Sequence, residues 1–123
     1  MITENGFYTG GIISPKDTRD FRWGEHFGAS VIPFDWSIGY DIEEHLPSKI
    51  SLKNQGYSGS CGGQATAYYG EVLEAIATGT QEERSAKFIY APNAVQGSGS
   101  YLRADFDTAI KLGFAHESVQ PSY

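Results

Sequence analysis

Only one residue in the 123-residue chain carries a thiol, Cys61, and it lies inside the stretch "NQGYSGSCGGQA", residues 54–65. A thiol serves as a disulfide partner, a metal ligand, a nucleophile or a small apolar filler. A lone cysteine cannot close an internal disulfide, and three scattered histidines give no His/Cys/Asp cluster with metal spacing. The nucleophile and the filler remain. Apolar or aromatic residues recur at 65, 68, 69, 72, 73 and 76, which is the spacing of one helix face. The pattern predicts a helix that starts at or within one residue of Cys61, runs to about Thr78 and stops at Gly79. A thiol at a helix start meets unsatisfied backbone N–H groups and the positive end of the helix dipole, and both favour thiolate. Gln55, six residues earlier, could reach back with its side-chain amide. With the Cys61 N–H it would make two donors converging beside the sulfur, the geometry of an oxyanion hole for acyl transfer. The alternative is a small buried hydrophobe.

The elements that must position this turn follow from the rest of the chain. Residues 1–53 form an N-terminal extended strap rich in aromatics, glycine and proline, and residues 54–123 form a helical half, together one structural domain. "PSKISL", residues 47–52, alternates as a short strand does, and "IPFDW", residues 32–36, reads as a strand or an extended strap. Gly70 inside the first helix costs about 1 kcal/mol relative to Ala, so another segment is expected to pack against it. Ser85 caps a short second helix, "AKFIYA", that ends before Pro92. A third helix spans about Tyr101 to Leu112, with Leu102, Phe106, Ala109 and Ile110 on its apolar face and Gly113 at its end. "FAHESVQPSY" is coil or a short strand. The fold class is α+β, mostly α, with three helices, extended coil and short strands.

Composition narrows the function classes. The formal charge is −6 with no basic stripe, which argues against nucleic acid and anionic membrane as partners. No apolar run approaches the ~20 residues of a membrane span, and the first residues lack a signal-peptide pattern. No phosphate-binding glycine motif occurs, and no cofactor is expected.

"SLKNQGYSGSCGGQATAYYGEVLEAI" resembles the nucleophile segment of papain-like cysteine peptidases, with Gln55 and Cys61 at that family's spacing. "SPKDTRDF" resembles the leader of bacterial and phage members, "SAKFIYA" their second helix, and "GSGSYLRADFDTAIKLGFAHESVQPSY" their glycine-serine loop and third helix. The resemblance implies the left-hand domain of that fold, an endopeptidase with Cys61 as nucleophile and Gln55 in the oxyanion hole. It also implies that Gly99 and Ser100 offer backbone to an extended peptide substrate. The family's general-base His and orienting Asn come from a β-rich right domain later in the chain, and none of His26, His45 and His116 lies where that base belongs. The expected partners are therefore a peptide or protein substrate and a second chain or C-terminal half supplying His and Asn. The chain departs from the family at Gly62, which replaces the usual Trp and should loosen packing beside the thiol. It departs again at Ser58, where many secreted members have a disulfide-bonded Cys, and this fits a cytoplasmic or virion-associated setting. A rival expectation is a non-catalytic structural or interaction module, for instance in a viral or phage particle, that keeps this helical half as a scaffold.

Overall fold

The computed structural model describes residues 10–19, 35, 37–96 and 98–122. Among these the chain is mixed α/β and mostly helical. Its elements are strand β1 (Gly11–Ile12), helix α1 (Cys61–Thr78), helix α2 (Ala86–Tyr90), strand β2 (Ser100–Tyr101) and helix α3 (Leu102–Leu112). Short 3-10 turns sit at Ile42–His45 and Ala91–Asn93.

Helix α1 begins at Cys61 and ends where Gly79 takes a left-handed conformation, φ 72°, its N–H donating to the Ala75 carbonyl. A left-handed residue after the last turn is most easily a glycine, which fixes the stop. Ser85 caps α2, its hydroxyl accepting from the Phe88 N–H at 3.1 Å. Pro92 does not end the helical path abruptly but enters the following 3-10 turn, where its missing N–H costs little. Gly113, with φ 76°, terminates α3.

The core lies between α1 and the extended segment before it. Ile50, Val72 and Ala75 are buried together, with Leu46 and Tyr68 packed against them. "PSKISL" forms no strand, contrary to the sequence expectation: residues 47–52 have no ladder partner. Side chains hold this segment instead. The Gln81 amide donates to the Lys49 carbonyl at 3.3 Å, and Lys53 Nζ donates to the Arg84 carbonyl at 2.8 Å. The alternation in "PSKISL" reports Ile50 facing α1 without any backbone pairing. "IPFDW" lies almost wholly outside the described residues. The segment after Gly113 is coil with one antiparallel bridge, Arg84 to His116.

Helix α3 packs on α1 through Tyr69 and Phe106, whose rings meet edge to face at 6.0 Å. Phe114 lies directly on Gly70, so that a Cβ there would come within 2.5 Å of the ring. The glycine inside α1 is the gap that Phe114 fills. The one described ladder joins β1 to β2 in parallel, Gly11 opposite Ser100 and Ile12 opposite Tyr101. Neither partner was foreseen as a strand.

Candidate active site

The turn before Cys61 is built from local side-chain-to-backbone bonds. Asn54 Oδ1 accepts from the Gly56 N–H at 2.9 Å, and Gly56 is left-handed at φ 57°. The Ser58 N–H and hydroxyl both donate to the Gln55 carbonyl, at 3.2 and 2.7 Å. The Gln55 amide then folds back and donates to the Ser58 carbonyl at 2.9 Å. Short polar residues that bond their own backbone favour such turns over helix, so the chain enters α1 sharply at Ser60. Ser60 is fully buried and bonded to the Ser58 hydroxyl at 2.7 Å, and its side chain does not cap the helix. Cys61 is thereby the first residue of an 18-residue helix, half-buried, with its sulfur facing the N-terminal segment.

That segment is the feature the sequence did not reveal. The Gly10 N–H donates to Cys61 Sγ at 3.2 Å, and the Gly10 carbonyl accepts from the Ser100 N–H at 2.9 Å. Gly99 and Ser100 thus lie beside the thiol turn, and their neighbourhood already holds an extended stretch of this same chain. The signal available in the sequence was the pair of glycines at 10 and 11, which mark a close backbone approach.

The residues after the nucleophile are packed tightly, which corrects the expectation that losing a Trp at position 62 loosens the site. Gly62 is buried, and a Cβ on it would overlap Asp105 Oδ2 and sit 3.1 Å from Ser100 Oγ. On Gly63 a Cβ would lie 2.8 Å from both the Ala86 carbonyl and Tyr90 Cβ. The space that a large side chain would need belongs to a polar pair: the Ser100 hydroxyl donates to Asp105 Oδ2 at 2.7 Å. Asp105 is wholly buried, and its Oδ1 carries no well-formed hydrogen bond among the described residues. Burial pushes its carboxyl above the ordinary value, against the opposing pull of the Ser100 hydroxyl and the Asn93 amide.

The two described histidines are engaged elsewhere. The His45 ring stacks on Tyr40 at 4.9 Å. His116 Nδ1 lies 3.1 Å from Glu82 Oε2, beside Arg84. His26 lies outside the described residues. Among the described residues no group of three His, Cys, Asp or Glu side chains could hold a metal, and no helix is long and apolar enough to cross a membrane.

A buried ion pair fixes the segment leading into the turn. Lys53 Nζ sits 2.6 Å from Glu71 Oε1, both side chains almost fully buried. Glu71 Oε1 also accepts from the Arg84 N–H at 2.7 Å, and the Arg84 guanidinium grips Glu74. Lys53 lies two residues before Gln55, so this ion pair ties the chain just ahead of the turn to α1.

Comparison with known proteins found no matching family model, no matching curated protein and no matching solved structure.

Proposed function

We propose that this chain is the nucleophile-bearing half of a papain-like cysteine endopeptidase, with the left-hand domain of that fold. The observation that carries this reading is Cys61 as the first residue of α1, at the end of a turn that Gln55 closes by donating its amide to the Ser58 carbonyl. The Cys61 thiolate adds to a peptide carbonyl, and the Gln55 amide and Cys61 N–H hold the developing oxyanion. The C–N bond then breaks, leaving a thioester on the sulfur, and water hydrolyses it to regenerate the thiol. A histidine takes the thiol proton and delivers it to the leaving amine, and an asparagine orients that histidine. Both come from a β-rich half, either a further segment or a second chain. Gly99 and Ser100 pair with the substrate backbone.

The test does not require the missing base. Cys61 is treated with a peptidyl electrophile and with a simple electrophile bearing the same warhead. The peptidyl reagent is expected to react faster by about tenfold or more, the advantage that bound orientation confers. Equal rates would remove the peptidase reading. In an enzyme completed by the second half, Gln55→Ala should lower kcat by about 10²–10³, and Cys61→Ala should abolish hydrolysis. A non-catalytic scaffold is favoured by one observation, the Gly10 N–H resting on the sulfur. It predicts no hydrolysis in any such mixture.

A further inference from the structure

We infer that the groove over Cys61 is a glycine-selective peptide slot, held in this structure by the chain's own Gly10–Ile12 segment. The use of the slot rests on the peptidase reading, whereas the selectivity is steric and independent of it. What points to a peptide ligand is a peptide already seated there.

Three glycine backbones meet over the thiol turn. Gly59 and Gly99 form the walls, so close that a Cβ on Gly59 would lie 3.2 Å from Gly99 Cα. Gly10 lies against both and is buried. A Cβ on Gly10 would overlap the Gly59 carbonyl, and one on Gly99 would overlap the Gly10 backbone. These obstacles are main chain, which cannot swing aside as the end of a side chain can. A residue occupying this position must therefore be glycine.

The restriction is confined to one position. A Cβ on Gly11 would sit 3.7 Å from Cys61 Sγ, an ordinary contact, and Gly11 is exposed. The slot thus demands glycine at one residue and accepts a side chain at the next. The parallel pairing of Gly11 with Ser100 and of Ile12 with Tyr101 sets the direction and register of the seated segment. In that register the Gly10 N–H donates to the sulfur at 3.2 Å. The ligand class is an extended peptide carrying a glycine where Gly10 now lies, and it must displace the resident segment to enter.

The experiment uses the full chain and reads the iodoacetamide labelling rate of Cys61. Gly10→Ala cannot fit and is expected to label about tenfold faster, as when the open fraction rises from about a tenth to nearly all. Gly11→Ala fits and should stay within about twofold of the parent. A peptide of residues 9–14, Thr-Gly-Gly-Ile-Ile-Ser, is then added to the Gly10→Ala chain at about 1 mM, the order of concentration that a tether supplies. It should slow labelling again, and the same peptide with Ala for its first Gly should not. No acceleration in Gly10→Ala, or equal protection by the two peptides, would overturn the inference. If Gly10→Ala loses its helical circular dichroism, the same peptide contest is run on the parent chain, whose segment opens transiently. Absence of glycine-selective protection there overturns it as well. Selective protection with no preference for a peptidyl electrophile would mean a slot without peptidase chemistry. The reverse pair of results keeps the chemistry and discards the slot.

Discussion

At Gly62 the side chain that is absent matters more than one that is present, because Asp105 and Ser100 fill its place. Gly62→Ala should destabilise the fold by about 1–3 kcal/mol, the usual cost of overpacking, read as a lower urea midpoint. A neutral result would mean that Asp105 can withdraw freely. Asp105 itself makes a pH prediction. Its carboxyl titrates above 3.8 in the folded chain because it is buried, so the folded state binds the proton more tightly than the unfolded state. Stability from this group is therefore full below the unfolded value and is lost as pH rises through the folded one. Asp105→Asn should remove that decline, and parallel curves of stability against pH for the two proteins would refute the assignment. At this scale Cys61 was legible in the sequence, because helix phase and a turn of polar residues are local signals. Asp105 was not. An acid in the first turn of a helix reads as solvated, and the room for its burial depends on Gly62, a glycine far away in the chain.

Between elements, the contacts that hold the thiol turn are ionic and steric. Lys53 and Glu71 form a buried pair at 2.6 Å. Removing one partner leaves the other charge buried, so Lys53→Met should cost about 3–5 kcal/mol, whereas Lys53→Met with Glu71→Leu should recover much of it. The recovery would be incomplete, since Glu71 also accepts the Arg84 N–H. Urea unfolding of the two single variants and the double variant supplies the comparison, and additive losses would show that the charges do not depend on each other. The three helices were readable from the sequence because their periods, caps and glycine stops lie within each segment. The β1–β2 pair was not, since two residues on each side carry no periodicity and the partners are far apart in the chain. Ser122 escaped for the same reason. Its hydroxyl accepts the Ala86 N–H at the start of α2, 2.9 Å away, and donates to Glu117 at 2.7 Å. A cap supplied from so far along the chain has no local signature. The strand expected at residues 47–52 failed in the opposite sense, because alternation there marks a buried Ile50 in a segment that the Gln81 side chain tethers.

For the whole molecule, the balance between buried and exposed apolar groups sets the stability. The buried hydrophobics among the described residues are Ile50, Ala67, Val72, Ala75, Ala86 and Ile89, and half of these are alanines. Ile13, Ile38, Leu52, Ile110, Leu112 and Val119 are larger and exposed. Apolar burial is the main favourable term in folding, and among the described residues much of the apolar surface that could supply it faces outward. The formal charge of −6 adds self-repulsion in the compact state. The chain by itself is therefore expected to unfold with a free energy at or below about 5 kcal/mol, the lower end for natural domains. Added neutral salt should raise the urea midpoint, because screening weakens repulsion between exposed charges beyond about 10 Å at 0.1 M. If a second half covers the exposed side chains, adding it should raise the midpoint further, in proportion to the logarithm of its concentration once it is in excess. Urea titrations at low and high salt, with and without that half, measure all three effects. An unfolding free energy above about 10 kcal/mol that does not respond to salt would place the main core outside the helical contacts described and remove the physical case for a partner.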